Sequence, residues 1–484
     1  MFSNSFNPKN VFKRMLLILC SGTLLFNGIV VGQEAQDAVV ANNSAAQPIP
    51  YVYNQYPDWQ VGVKPGLLPE PDGGYIYAHP TRWDNVLGPG DWYFNAWIDQ
   101  GITYGDKRTP RTNAPQVYND MNNEYQLNQG YVVMQRRIKE ECNWSLGGRV
   151  DLFYGTDYYY TQAYGLEAQN VGYMTTLDGD AISGVNRWNG TGSRHLAQDV
   201  ARYGLSMPQM YAEAYIPFWY GINVKMGHFY SGMSLESPMA PENFFYSHSY
   251  TSYYGVPTTV TGLLMSMKLG GNLEFLMGFN EGWNRFEVKE GGALSMMAGF
   301  QWKNACDTLR LKVMVNSGKE TWSYEDPESV KLNYLYKNYG VTVMSTQLEW
   351  QITQRFGTSL EYVYGKDSKG TAPTSDVCST NDWMGIVNNW FYQCSEEVTL
   401  GVRAEWFRDN PQCGRIIYSD MFAGQNNYTV FDVSLGLNWK PCAWFTLRPE
   451  CRWDSANLDA APGYKFFGDK NSQFTFGMDM LLSF

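Results

Sequence analysis

The stretch Gln473–Phe484, QFTFGMDMLLSF, places an apolar residue at every second position. The apolar face carries Phe474, Phe476, Met478, Met480, Leu482 and Phe484. A period of two indicates a β-strand with one apolar face. Bacterial outer-membrane barrels commonly end a chain on such a strand, because it pairs with the first strand and leaves no open edge. The edge strand of a soluble β-sandwich is the alternative, and the rest of the chain decides between them.

The N-terminal segment predicts export. Lys9, Lys13 and Arg14 precede the apolar run MLLILCSGTLLFNGIVV, which is too short for a comfortable membrane span. We therefore predict a secretory signal peptide in residues 1–32, cleaved near Gly32. The following segment is rich in Ala, Gln, Pro, Gly and Tyr, and we predict that residues 33–89 form a flexible periplasmic lead-in.

Composition narrows the class of protein. Aromatic residues make up 16% of the chain and charged residues only 17%, which is typical of strands that face lipid on one side and carry Tyr and Trp belts. Removal of the predicted signal changes the formal charge from −11 to −14, because the signal holds three basic and no acidic residues. An acidic chain is a poor partner for nucleic acid, so we expect no nucleic-acid binding.

Alternation continues from about residue 90 to the C-terminus. In Val430–Lys440, for example, Phe431 and Val433 share one face and Asp432 and Ser434 the other. We count about sixteen strands, near 90–103, 124–138, 143–155, 207–217, 221–230, 257–269, 272–283, 292–303, 307–317, 340–353, 355–365, 382–394, 396–408, 428–440, 443–455 and 472–484.

The predicted connections alternate between short and long, and the predicted loop from Gly318 to Tyr339 is one of the long ones. Short periplasmic turns and long external loops, with an even number of strands, are the outer-membrane pattern. The sequence therefore predicts an all-β fold in which residues 90–484 form a closed antiparallel transmembrane β-barrel.

Several blocks of the chain resemble the OmpL-like outer-membrane β-barrel porin family. The most specific are FFYSHSY within Tyr211–Gly262 and RPECRWD at Arg448–Asp454, and further matches are LNQGYVVMQRR, RVDLFYGTD and FNEGWNRF. The resemblance spans about residues 120–484, although Gly165–Ala201 matches poorly. It implies a porin-like pore and brings no catalytic residues.

The segment Ser231–Val256 follows the predicted fifth strand. In sixteen-stranded general porins the loop after that strand folds into the lumen and narrows it, and by this analogy we expect a constriction here. The candidates for the constriction are Glu236, Glu242, His248 and Tyr250. Two alternatives remain open: a well-packed external loop that touches no solute, and a subunit contact that latches into a neighbouring barrel.

Strand parity alone predicts ten charged side chains that face the lumen. They are Arg149, Asp151, Arg310, Lys312, Arg403, Glu405, Arg448, Glu450, Arg452 and Asp454. Basic and acidic rows on opposing walls would set a transverse field that orients polar solutes. The structural alternative is that neighbouring Arg and Glu side chains pair and stiffen the barrel, and Arg448 and Arg452 favour this interpretation.

Other chemistry is weakly supported. Asp178 and Asp180 alone are too few ligands for a cation, so we predict no metal site. The sequence contains no G-x-S-x-G, H-E-x-x-H, P-loop or G-x-G-x-x-G motif, and we predict no enzyme and no cofactor. Cys378 and Cys413 fall in consecutive long loops, which makes a disulfide between them a hypothesis.

We therefore predict an outer-membrane porin for passive diffusion of small hydrophilic solutes or ions. The expected partners are outer-membrane lipid, these solutes and a possible homotrimer, with a mild preference for cations. One alternative is a structural or adhesive barrel that acts through its external loops. Another is a substrate-specific channel, for example for oligosaccharides, lined by a continuous aromatic track.

Overall fold

A computed structural model describes residues 90–106, 112–140, 142–169, 185–186, 188, 202–270, 272–286, 294–324, 335–367, 381–410, 415–416, 427–458, 465–467 and 470–484. The predicted signal peptide and lead-in, Asp178, Asp180, Cys378 and Cys413 lie outside these residues.

Within the described residues, sixteen strands form one closed antiparallel barrel. In chain order β1 to β16 are Gly90–Gly105, Glu124–Ile138, Ser145–Gly155, Gly204–Ile216, Ile222–Tyr230, Thr259–Lys268, Leu273–Asn280, Ser295–Lys303, Leu309–Tyr324, Leu335–Gln351, Phe356–Asp367, Asn381–Gln393, Val398–Asp409, Tyr428–Cys442, Phe445–Ala456 and Ser472–Ser483.

The C-terminal strand closes the barrel. Strand β16 pairs with β1 in an antiparallel register that runs from Trp97 opposite Ser483 to Gly105 opposite Thr475. Each strand therefore has two neighbours, and the described sheet has no open edge at which another chain would pair. The predicted fold class is confirmed.

The two faces of the barrel differ as the alternation predicts. On β16, Phe474 is 47% exposed on the outside, while its neighbour Thr475 is 1% exposed on the inside. Large aromatic side chains are also exposed at the short-turn end, among them Trp144, Trp219 and Trp444. An apolar outer band with an aromatic girdle at its rim is the surface that a membrane-spanning barrel presents to lipid.

The connections alternate in length. Those after even-numbered strands contain two to six residues, and those after odd-numbered strands contain at least ten. The predicted loop Gly318–Tyr339 is wrong in its bounds, because the β9–β10 ladder continues to Tyr324 opposite Leu335. Gly318 had indicated a turn, but a glycine is also tolerated inside a paired strand.

In the part of the chain that the structure describes, helix is confined to the loops. The described residues hold two single-turn helices, α1 at Tyr158–Thr161 and α2 at Tyr250–Tyr254, and a 3-10 turn at Ala240–Glu242. A two-residue ladder joins Ala168–Gln169 to Val185–Asn186. None of the helices in the described residues has the length and apolar character needed to cross a membrane.

Candidate pore constriction

The connection between β5 and β6, residues 231–258, crosses the inside of the barrel, and we call it the inward loop. Its ends meet at the wall, where the Ser231 amide donates to the Thr258 carbonyl at 3.0 Å. Between these ends it contacts β13, which is eight strands from β5 in either direction around the sixteen-strand barrel. The inward loop therefore reaches the diametrically opposite wall.

Three arginine side chains of that wall bind the backbone of the inward loop. Their guanidinium groups donate to loop carbonyl oxygens: Arg403 to Ser247 at 2.8 Å, Arg448 to Ala240 at 2.8 Å and Asn243 at 2.7 Å, and Arg452 to His248 at 2.6 Å. The contacts explain how a loop whose only helical segments are one short 3-10 turn and one single-turn helix satisfies these buried carbonyls.

Each of these guanidinium groups also pairs with a carboxylate of the wall. The Nε atoms donate to the acids as follows: Arg403 to Asp432 at 2.7 Å, Arg448 to Asp479 at 3.0 Å and Arg452 to Asp454 at 2.8 Å. Arg403 and Arg448 thus join neighbouring strands through these hydrogen bonds, whereas that of Arg452 lies within β15, and all three arginines hold the loop at the same time. Because the groups are buried, loss of one partner would leave an uncompensated charge in the interior.

Acidic side chains of the wall bind loop amides. The Glu405 carboxylate accepts from the amides of Tyr250 at 2.8 Å and Thr251 at 2.6 Å, and so caps the start of α2. The Tyr250 hydroxyl in turn donates to Asp454 at 2.9 Å. Tyr250, a candidate for the constriction, is therefore packed against the wall, and burial raises its pKa well above the usual value.

Two further acids extend this contact along the loop. Glu450 accepts from the Ser247 amide at 3.1 Å, and Glu361 on β11 accepts from the Leu235 amide at 3.1 Å. The bound stretch of the loop therefore reaches from Leu235 to Thr251 and touches β11, β13 and β15.

Glycines on the inner wall make room for the loop side chains. A Cβ atom at Gly401 would overlap the ring of Phe244, and one at Gly436 would lie 3.1 Å from the ring of Phe245. On the closing strands, a Cβ at Gly101 would lie 2.7 Å from the Tyr246 hydroxyl. The absence of side chains at these wall positions therefore permits close docking of three consecutive aromatic residues.

The half-buried Glu236 and the buried His248 form a pair within the loop. The Glu236 carboxylate lies 3.1 Å from Arg403 Nη1 and 3.6 Å from His248 Nδ1, and it accepts from the Ser249 amide at 2.8 Å. Burial acts to raise the pKa of Glu236, but Arg403 and His248 outweigh it, and the pKa is lower than usual. Burial lowers the pKa of His248 to about 4, and its ring stacks on Tyr118 with centroids 3.8 Å apart.

Glu242, like Glu236, borders open space. It is half-buried and lines a cavity between the inward loop and strands β11 and β12, together with Phe244, Phe245, Asn389 and Phe391. The cavity is small, with room for no more than a few water molecules, and it is partly open to solvent.

The remaining predicted charges occupy different positions. Arg149 pairs with Asp151 through two hydrogen bonds of 2.5 and 2.7 Å. Lys312 donates to the Gly232 carbonyl at 2.5 Å, at the start of the inward loop. Arg310 lies at the short-turn rim, where it pairs with Asp307 at 2.6 Å.

Several contacts were missed by sequence reasoning. Asp432 and Asp479, the partners of Arg403 and Arg448, were not among the predicted lumen-facing charges, although they stand at lumen-facing positions of their strands. Gln129 on β2 was also missed, and its amide binds the Pro238 carbonyl at 2.7 Å and the Ala240 amide at 3.1 Å. The alternation of each strand indicates which residues face the lumen. Which of these residues contact one another depends on the register between strands, which the alternation does not give.

The fold and the inward loop define the class of protein: an outer-membrane β-barrel of the porin type. Residues 91–484 match the family described as "Putative beta-barrel porin-2, OmpL-like". The chain belongs to this family, as its sequence blocks predict. No curated protein matches the chain at the sequence level.

Two solved structures share the fold. The loop L8 deletion mutant of OmpT, an outer membrane protein of Vibrio cholerae, is 10% identical with a TM-score of 0.50, and the match covers 82% of this chain and 99% of that one. The outer membrane channel DcaP of Acinetobacter baumannii is also 10% identical with a TM-score of 0.50, and the match covers 82% of this chain and 97% of that one. The similarity concerns the barrel and not particular residues.

Proposed function

We propose that the chain forms a diffusion pore for small hydrophilic solutes and ions, and that the inward loop sets the width of the path. The observation that carries this proposal is the course of the loop. It leaves the wall after β5 and is held at the opposite wall by Arg403, Arg448 and Arg452. A sixteen-stranded barrel encloses more space than its own side chains fill, and a loop across that space restricts what passes.

We further propose that the pore prefers cations. The buried side chains of the described residues include fifteen carboxylic acids but only seven arginines and lysines. The acid excess of the chain is therefore not confined to external loops. Fixed negative charge along a narrow path raises the local concentration of cations and lowers that of anions.

The proposals for the cellular location and the assembly of the chain rest on its family and its sequence. We propose that the signal peptide is cleaved near Gly32 and that the barrel then inserts among outer-membrane lipids. A homotrimer is proposed by analogy with sixteen-stranded porins. We propose no catalytic role and no cofactor: Ser247, for instance, binds Arg403 and Glu450 through its hydroxyl.

The substrate-specific alternative has less support. A channel for oligosaccharides would present exposed aromatic rings along the path, but Tyr118, Tyr160 and Tyr250 are buried and pack against other protein groups. Conductance distinguishes the adhesive alternative from the pore, because a barrel with only an adhesive role would give no current steps.

The test is single-channel conductance of the refolded mature protein in a planar bilayer under a salt gradient. We expect stable current steps, with a reversal potential of the sign that indicates cation preference. A folded barrel that gives no steps would overturn the pore and favour the structural or adhesive role. Steps with anion preference would overturn the charge argument alone.

A further inference from the structure

The apolar band on the outside of the barrel differs in height from strand to strand. On β16 the outward apolar positions run from Phe474 to Phe484, a separation of ten residues. At about 3.3 Å per residue and a tilt of about 40°, this band is roughly 25 Å tall, which is the height that a membrane barrel presents to lipid. On β5 the band ends at Met226, six residues after the exposed turn residue Tyr220, and is therefore only roughly 15 Å tall. We call the outer face of β5 and β6 the low wall.

Polar groups lie directly above the band of the low wall. His228 is the next outward position on β5 after Met226, and Thr261 lies opposite it on β6. The Nδ1 atom of His228 lies 2.8 Å from Thr261 Oγ1. The Thr261 hydroxyl donates to the Arg285 carbonyl at 2.6 Å, and the ring centroid of Phe286 lies 5.7 Å from that of His228. The chain that follows β7 therefore folds over the outside of the low wall.

A bilayer of ordinary thickness does not match the low wall. Irregular backbone lies where hydrocarbon would lie on the taller strands, and the Phe286 amide, for example, donates to the Tyr164 carbonyl at 2.8 Å. Irregular backbone of this kind does not occur against the hydrocarbon of a membrane. An apolar surface that is too short for the bilayer is accommodated by local thinning of the bilayer or by association with another protein.

The surface around the low wall is complementary in shape to itself. One row of outward residues crosses β3 to β7, because each member pairs with the next: Gly148, Ala212, Met226, Leu263 and Phe279. The last three protrude, and Met226 is 65% exposed, whereas Gly148 and Ala212 have little or no side chain. The ridge on β5–β7 of one copy therefore fits the depression on β3–β4 of the next copy. Such a head-to-tail contact between identical chains closes into a ring.

The face from β3 to β7 is also large enough for a stable contact. Five strands about 4.8 Å apart and tilted by about 40° occupy roughly 30 Å of the circumference. Over a band about 25 Å tall they cover about 800 Å². Each copy in a ring would thus bury about as much surface as one partner of a standard interface.

We propose that copies of this chain dock through the outer face of β3–β7, with the ridge of one copy in the depression of the next, so that protein covers the low wall. Methionine is enriched in interfaces, and Met210, Met226, Met265, Met267 and Met277 occupy outward positions on β4–β7. This assignment rests on the proposed function only for the membrane-inserted barrel, and it specifies the face through which the proposed homotrimer would form.

The first experiment places the photo-cross-linking residue p-benzoylphenylalanine at position 226 of the mature chain in phospholipid vesicles. We expect irradiation to give a covalent product of twice the chain mass. The matched control places the same residue at Val402, which is exposed on the outside of β13, eight strands away around the barrel. We expect lipid adducts and no dimer from that position. Lipid adducts alone from position 226 would overturn the proposal and show that the bilayer thins at the low wall, and equal dimer yields from both positions would overturn it as well.

The second experiment fills the depression with Ala212→Trp. The outer surface stays apolar, but the added ring prevents close approach of the next copy, so we expect the dissociation constant of the oligomer, measured by light scattering in detergent, to rise by about tenfold or more. Ala404→Trp is the matched control, since Ala404 is an outward alanine on β13, and we expect no change. An unchanged oligomer in Ala212→Trp, or equal weakening in both variants, would overturn the assigned face. If a variant fails to fold, the cross-linking experiment still decides.

The interface and the pore fail separately. A barrel that conducts ions but gives no dimer from position 226 overturns the interface and keeps the pore. A folded oligomer with the expected cross-links but no conductance keeps the interface and overturns the pore.

Discussion

The substitution Gly401→Val tests whether wall glycines hold the inward loop across the lumen. A Cβ atom at this position would overlap the ring of Phe244, so a valine and a docked Phe244 are mutually exclusive. Phe244 is 6% exposed when docked. Valine itself is favourable in a β-strand, so the barrel should tolerate it.

The magnitude follows from the burial of one phenylalanine. Fully burying such a side chain contributes about 1.5–3 kcal/mol, and each 1.4 kcal/mol changes an equilibrium about tenfold. Loss of the Phe244 contact should therefore shift the docking equilibrium of the loop by roughly 10- to 150-fold toward the released state. If the docked loop narrows the path, release produces larger current steps.

The assay is single-channel recording, in which we expect the ratio of time in high-conductance states to time in the ordinary state to rise by that factor. Gly130→Ala is the control, because the nearest atom to a Cβ there is a backbone oxygen at an ordinary 3.5 Å. Circular dichroism and heat-modifiable migration on gels would establish that both variants fold. A folded Gly401→Val barrel with unaltered current steps would refute the idea that this contact sets the width of the path.

Two other predictions concern the groups that hold the loop. Arg403→Gln leaves Asp432 and Glu236 without their buried cation, and we expect a loss of about 3–5 kcal/mol in unfolding free energy. The control is Lys139→Gln, which breaks an exposed pair with Asp91 and should cost about 1 kcal/mol or less. Equal urea midpoints for the two variants would contradict the expected difference in stability. The docked loop should also weaken in acid. The pKa of His248 is about 4 in the docked loop and 6.5 in the released loop. Between these two values the released loop binds more protons than the docked loop, so docking is lost as pH falls from about 6.5 to 4. The lowered pKa of Glu236 acts in the same direction. The Glu236 carboxylate stabilises the docked loop above its ordinary pKa, and this stabilisation is lost as pH falls through the lowered pKa of the docked state. Hydrogen exchange of loop amides measures this loss, and a pH-independent exchange pattern, after correction for intrinsic rates, would refute it.

The local pattern of the sequence was sufficient for the barrel. Strand alternation depends only on which face each side chain takes, and neighbouring residues of a strand take opposite faces whatever lies across from them. Phe474 and Thr475 on β16 are an example, since their contrast in exposure follows from parity alone. Connection length is equally local, although the extension of β9 and β10 beyond Gly318 was missed because a paired glycine resembles a turn signal.

Register was beyond the reach of the sequence. Parity places Arg403, Arg448 and Arg452 on the inner face, but only the pairing of adjacent strands brings Arg403 to Asp432 and Arg448 to Asp479. The same limit applies to the wall glycines. Gly401 and Gly436 stand opposite each other on β13 and β14, and this juxtaposition creates the room that Phe244 and Phe245 occupy.

By itself, the sequence determined that this chain is an all-β protein with alternating strands, short turns and long loops, because these features arise from interactions between near neighbours. Only the tertiary structure decided where the inward loop docks, which charges hold it and which residues border the cavity. Those contacts join residues far apart in the chain, such as Ser247 and Arg403, and they exist only after barrel closure fixes the register and the distance across the lumen.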